Sequence, residues 1–243
     1  LKPDGPTQWD TDRQEALIYA RLPKAPADVS EAILKTFVTN MTGQADQLPM
    51  VINNQDPYRA PMKDYTWGSN LSKATQARLY ELLALYGGNA ATTAKVSSTA
   101  MEYLHYLHGV NPLGLVCLTN LSSIGAENTA NTIYHTWFAA GTRWSKVTAT
   151  TPGPAPGYLA GGPNPTFTID SCCTAPSGTA AYQCYGSSAF SLCSLNYSPP
   201  LGQPNMKSYL QFNSGWPADS WQIAEPSDTY QSKYICALAE YVH

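Results

Sequence analysis

Residues 90–112, AATTAKVSSTAMEYLHYLHGVNP, decide the fold class. Within them Val96, Ala100, Tyr103, Leu104 and Leu107 recur three or four positions apart, the spacing that lines one face of an α-helix. Gly109 and Pro112 end the element, since glycine tolerates the left-handed turn that closes a helix and proline cannot continue one. The stretch before it repeats the pattern. Leu79, Leu82, Leu83 and Tyr86 form a stripe, Ser69 or Asn70 is placed to cap its start, and Gly87-Gly88 stops it. Two helices with so short a break between them read as a hairpin. Further upstream, residues 11–22 read as a short helix. Asp28 with Glu31 makes a capping-box-like start to another, carrying Ile33, Leu34, Phe37, Val38 and Met41. Residues 43–68 are rich in Pro, Asn, Asp and Gly and read as loop. A last helix is expected over 227–241, with Tyr234, Ile235, Leu238 and Val242 apolar. No stretch shows convincing strand alternation, and there is no internal repeat. The expectation is an all-α fold of helical hairpins carrying one large loop face, in a single domain.

That loop face spans 110–226, where no stretch is strongly periodic. A connection of this length is uncommon unless it serves function. The composition says what it could serve. Charged residues make up 13% of the 243, about half the usual share, while Tyr numbers 16 and Trp 6. With 14 Lys and Arg against 17 Asp and Glu, a basic nucleic-acid face is disfavoured. No apolar run approaches the roughly 18 residues of a membrane helix. A neutral, aromatic, loop-rich surface suits an uncharged partner that can stack on rings.

Four of the six cysteines, Cys172, Cys173, Cys184 and Cys193, crowd into a Ser-, Gly-, Pro- and Thr-rich stretch. Crosslinks would supply order that this stretch cannot gain by packing, which implies disulfides and an oxidising compartment. Free thiols are the second reading. Zinc is the third, disfavoured by the lack of a CxxC pair or a neighbouring histidine. Cys117 and Cys236 sit in apolar surroundings and read as buried thiols. Asn40, Asn70, Asn120 and Asn196 fit the N-x-Ser/Thr sequon.

Three places could carry chemistry. His105 and His108 lie three apart on a helix, a metal-ligand spacing, but HExxH is absent and both flank an apolar stripe, so packing or capping is the better reading. His135 lies in the aromatic cluster Asn131-Thr-Ile-Tyr134-His135-Thr-Trp137-Phe138. It reads either as a sugar-hydroxyl partner among stacking rings or as a structural histidine. Glu225 follows Trp216 and Trp221 and precedes Pro226. Such neighbours withdraw a carboxyl from water and favour the protonated form that a general acid needs. The same glutamate could serve only the start of the last helix. Neither a phosphate-binding glycine motif nor a GxSxG elbow is present.

Several stretches resemble the glycoside hydrolase family 9 cellulases, most closely the bacterial secreted branch. They are Trp67-Gly68-Ser69-Asn70, the run from Tyr103 to Gly114, the loop Gly153-Pro-Ala-Pro-Gly157 with Gly161-Gly162-Pro163-Asn164, and the closing region from Lys207 to Glu225. The motifs keep the family's order. The resemblance implies a β-1,4-glucanase on an (α/α)6 barrel that hydrolyses its substrate with inversion. It implies Glu225 as proton donor, Tyr230 lining the cleft beside it, and His135 as a sugar contact. The family's NPHHR-like run is here Asn-Thr-Ile-Tyr-His-Thr-Trp, which leaves its arginine contact unmatched and makes Trp137 a candidate stacking residue.

The DAGD-like motif that carries the family's catalytic base is absent. Residues 1–243 therefore read as the C-terminal portion, about half, of the catalytic domain. The water-activating aspartate is expected in the missing N-terminal half or in another chain. Secretion is expected too, with any leader upstream of Leu1. Relatives bind calcium, but no Asp-rich loop of the D-x-[DN]-x-[DN]-G kind occurs, so no metal or other cofactor is placed. The alternative is a non-catalytic glucan-binding or structural fragment that assembles with other chains.

Overall fold

The computed structural model describes residues 16–87, 90–135, 141–169, 197–215 and 218–242. It is mostly helical. Ala27–Gly43 (α1), Leu48–Asn53 (α2), Ser69–Tyr86 (α3) and Ala90–Leu107 (α4) come first. Two short strands follow, Val116–Thr119 (β1) and Thr129–Ala130 (β2), and the helices Trp221–Ala224 (α5) and Asp228–Leu238 (α6) close the chain. Two compact units result: Leu1–Lys63 with Ser72–Leu104 and Cys236–His243, and Asp64–Leu71 with His105–Ile235.

The first unit is built from the stripes that the sequence displays. Val96, Ala100, Tyr103, Leu79 and Leu83 are all buried, as are Phe37 and Met41 of α1. Tyr80 stacks on Tyr103 at 5.8 Å, and Phe37 meets Tyr86 edge-on at 6.4 Å. These aromatic contacts add specific geometry to the buried area. Lys73 is fully buried. Its ammonium donates to Ala60 O and lies 5.7 Å from the centre of the Tyr103 ring, while the Tyr103 hydroxyl donates to Pro61 O. A buried charge is tolerable because carbonyl and ring replace its lost water.

Several expectations require correction. Residues 48–53, read as loop, form α2. Proline near its start fixes a helical φ and Leu48 is buried, but six residues are too few to show a stripe. The capping box fails because Pro26 holds the N-cap with no side-chain bond, which leaves Asp28 in the first turn, favourable only to the helix dipole. α3 already begins at Ser69, so neither Ser69 nor Asn70 precedes it as a cap. β1 and β2 pair in parallel where no strand was legible. Their residues are nearly all buried, so no alternation could show. In the last helix Tyr230, Tyr234 and Ala237 face inward, whereas Ile235 is exposed; the helix ends at Leu238, and Val242, also exposed, lies beyond it. Cys236 is likewise exposed, while Cys117 is buried as expected. The other four cysteines lie outside the described residues.

In the second unit, side-chain amides do the work that ladders do elsewhere. Asn111 Nδ2 donates to Tyr106 O at 2.7 Å and Leu115 O at 2.8 Å. Its Oδ1 accepts from the N–H groups of Leu113 and Leu115. One buried amide thus fixes the turn that leads from α4 into β1. Beyond the strands, Leu115, Phe167, Tyr197, Tyr209, Ala218 and Ile223 form a buried cluster. Phe167 sits edge-on to Tyr197 at 6.0 Å and to Phe212 at 5.9 Å.

One carboxyl of the first unit yields a pH prediction. The Glu81 side chain is 4% exposed and bonds Arg78 at 2.9 Å, while Arg78 also reaches Glu240 at 3.3 Å. Burial pushes Glu81 up to about 7, Arg78 opposes this, and the Glu240 charge adds to it. The folded chain therefore holds this proton more tightly than the unfolded chain, whose value is 4.5. The resulting stability is full below the unfolded value and is lost as pH rises through about 7. Thermal melts at pH 5 and pH 8 should show Glu81→Gln with a smaller difference in Tm between the two than the parent chain.

Candidate active site

Glu225 stands between α5 and α6 with an extended backbone, φ −69° and ψ 128°. Three segments fix it there. Gly162 N–H donates to Ile223 O at 2.9 Å, and Tyr134 N–H donates to Ala224 O at 3.1 Å. Asn164 Nδ2 donates to Gln222 O at 3.0 Å, while its Oδ1 accepts from the backbone and hydroxyl of Thr166. Gln222 itself pairs with both backbone groups of Thr168. The residues leading into Glu225 are thus tied to the Gly161–Asn164 loop and to Tyr134 in the segment after β2.

The loop in turn is docked onto the start of α3. Asn70 N–H donates to Gly161 O at 2.9 Å, and Asn70 Nδ2 donates to Ala160 O at 3.0 Å. The approach is so close that only glycine fits. A Cβ on Gly162, whose φ is +105°, would lie 2.5 Å from Ser69 Oγ, and one on Gly161 would lie 2.6 Å from Ile223 O. From the far side Gln231 of α6 clasps the backbone of Leu159, accepting from its N–H at 2.7 Å and donating to its carbonyl at 3.1 Å.

This docking brings Trp67 to Glu225. The indole Nε1–H donates to Glu225 Oε2 at 3.1 Å. The Trp67 ring meets Trp221 edge-on at 6.3 Å and leans on Tyr230 at 6.0 Å. Trp67 and Trp221 keep 47% and 39% of their surface exposed, so the carboxyl sits beside an open aromatic face. Tyr230 is the buried floor, 1% exposed. Its phenol is raised by burial and secondarily by the Glu225 charge, and is therefore neutral. Its hydroxyl is buried with no hydrogen-bond partner among the described residues and lies 2.7 Å from where a Cβ on Gly68 would stand.

The expected site residues are thus placed unevenly. Glu225 and Tyr230 come together, with Tyr230 beneath the site and the open face left to the two tryptophans. His135 is half-buried and follows Tyr134, the residue bonded to Ala224, so its backbone runs beside that of the acid. Trp137 lies outside the described residues. The residue that sequence reasoning missed in this role is Trp67. Its motif was visible, but its partner is 158 positions away. Asn70, inside a sequon, is buried with its amide engaged. Among the described residues no group of three or more His, Cys, Asp or Glu could hold a metal ion, and no helix is long and apolar enough to cross a membrane.

The mostly helical chain shares its fold with solved structures of an (α/α)6-barrel family, over about a third of their length. The family model for glycosyl hydrolase family 9 matches residues 3–238, and the chain belongs to that family. Solved structures share the fold. One is AaCel9A in complex with cellobiose-like isofagomine, at 21% identity and TM-score 0.59, matched over 93% of this chain and 34% of its own. A single-mutant thermostable endoglucanase from Alicyclobacillus acidocaldarius is similar at 22% identity and TM-score 0.58, over 93% of this chain and 34% of its own. A metagenome-derived family 9 endoglucanase matches at 18% identity and TM-score 0.61, over 99% of this chain and 34% of its own. The chain therefore spans about a third of the length of these relatives. No curated protein matches the sequence.

The docking geometry predicts that Gly162→Ala is strongly destabilising. It adds a clash with Ser69 to a backbone conformation that alanine resists, and a loss of about 2 kcal/mol or more is expected in urea unfolding. Gly157→Ala is the control, because its φ is also positive but its Cβ would meet nothing within 4 Å.

Proposed function

We propose that this chain carries the proton-donating part of a secreted β-1,4-glucanase, with Glu225 as the general acid and cellulose or a related β-glucan as substrate. The observation that carries the reading is the carboxyl of Glu225 held by the Trp67 indole at the edge of the half-exposed Trp67 and Trp221 rings. Pyranose rings present apolar C–H faces that stack on indoles and hydroxyls that need polar partners. A neutral aromatic face beside one acid therefore fits an uncharged glucan. Family membership and the endoglucanase structures support the same substrate class.

Hydrolysis with inversion needs two carboxyl groups about 6.5–9.5 Å apart, one protonating the leaving oxygen and one activating water. Glu225 takes the first role. The second falls to an aspartate outside this chain, in the remainder of the catalytic domain, which is the partner this reading requires. His135 is assigned to a sugar hydroxyl, Tyr230 to the floor that supports Trp67, and Trp137 to stacking. Calcium, by family resemblance, has no assigned ligands here.

The test uses the complete protein that contains this segment. Glu225→Gln should cut turnover of cello-oligosaccharides by at least the roughly 10²–10⁴-fold that general acid catalysis supplies. The thermal melt should be unchanged. A dinitrophenyl cellobioside, whose leaving group needs no proton, should lose far less. Oligosaccharide turnover undiminished in the variant would overturn the assignment of the acid. Cellulose binding with no turnover by the parent protein would favour the non-catalytic alternative.

A further inference from the structure

We infer that Trp67 is a positioning residue for proton transfer. It selects Oε1 of Glu225 as the oxygen that delivers the proton, and its indole bond to Oε2 strengthens as the transfer proceeds. The inference rests on the acid role proposed for Glu225 and adds to it the residue through which that role is tuned.

The geometry is direct. Indole nitrogen donates a hydrogen bond and cannot accept one. With Nε1 donating to Oε2 at 3.1 Å, Oε2 takes the acceptor, carbonyl-like place in the protonated carboxyl, which leaves the acidic hydrogen on Oε1. The indole plane is itself constrained, edge-on to Trp221 on one side and tilted against the buried Tyr230 on the other. Gly68 lets the Tyr230 hydroxyl approach where any side chain would collide. The donor is thus aimed before substrate arrives, which is the condition for a hydrogen bond to favour the transition state without reorganisation.

The reaction explains why this bond should matter more late than early. The proton leaves Oε1 for the glycosidic oxygen as the bond from that oxygen to the anomeric carbon breaks. The bonding pair stays on the departing oxygen, which becomes a sugar hydroxyl. Water adds to the anomeric carbon and gives its proton to the base outside this chain. Glu225 passes from neutral acid to carboxylate, and a bond from N–H to a carboxylate is stronger than one to a neutral carbonyl. Trp67 therefore binds the transition state more tightly than the ground state, and only such differential binding raises turnover.

Trp67→Phe removes the donor and keeps a ring. In the complete protein, kcat on cellohexaose should fall roughly 10- to 100-fold. On dinitrophenyl β-cellobioside, where no proton is delivered, kcat should fall less than about 3-fold. Adding Trp67→Phe to Glu225→Gln should cost little more on cellohexaose than Glu225→Gln alone, since both act through one carboxyl. Trp67→His, a smaller ring that retains an N–H, should recover part of the oligosaccharide turnover. Trp67→Tyr serves as the donor-displaced variant if phenylalanine does not give a folded protein. Equal losses on the two substrates, or multiplicative losses in the double variant, would make Trp67 a mere stacking wall and overturn the inference. Full cellohexaose activity in Glu225→Gln would instead overturn the underlying acid assignment.

Discussion

The close approach of backbone at Gly161-Gly162 is the constraint on which the site depends. These two residues touch the start of α3 on one side and the end of α5 on the other. Only the short side chains of Ser69 and Asn70 stand between the loop and α3, and the backbones that carry Trp67 and Glu225 are held close by that packing. A hydrogen bond between residues so far apart in sequence is costly to form by chance, because loop closure and side-chain ordering oppose it. Here the entropy is absorbed by the docking of Asn70, Gln231 and Asn164, each spending a side-chain amide on backbone. The pairing of Trp67 with Glu225 is a by-product of that docking.

How legible this was in the sequence depends on the range of the interaction. The stripes of α3 and α4 were readable because helix packing repeats with a local period, and Val96, Ala100, Tyr103 and Leu104 are all buried. The stripe of α6 was readable only in part. Tyr234 faces inward but Ile235 does not, and with only 11 residues the helix gives the period little length over which to fix the face. The capping box at Asp28 failed because a preceding proline can set the helix start by its own φ. Among the loop residues, Glu225 stood out by its aromatic and proline neighbours. Trp67, Gln222 and Gln231 could not be ranked, because their partners lie far along the chain and polar clasps have no period.

The chemistry around Glu225 is economical in charge. The phenol of Tyr230 is kept neutral by burial, and the Glu225 carboxyl accepts a hydrogen bond from the uncharged Trp67 indole. In the proton transfer proposed for Glu225, a strongly charged neighbour would hold the proton in one place or strip it away. An indole does neither, yet responds when charge appears. This matches the composition, in which few charged residues are combined with many aromatic ones.

Two of the asparagines that brace the irregular unit share one more property. Asn111 precedes Pro112 and Asn164 precedes Pro165. Asparagine ages mainly by closing a ring in which the following residue's backbone nitrogen attacks the side-chain carbonyl, and that attack needs an N–H which proline lacks. The amides that hold the turn after α4 and the loop beneath Glu225 are therefore shielded from spontaneous deamidation by their neighbours in the chain. The irregular unit, which has little regular secondary structure to fall back on, has two of its amide braces built in a form that resists chemical ageing.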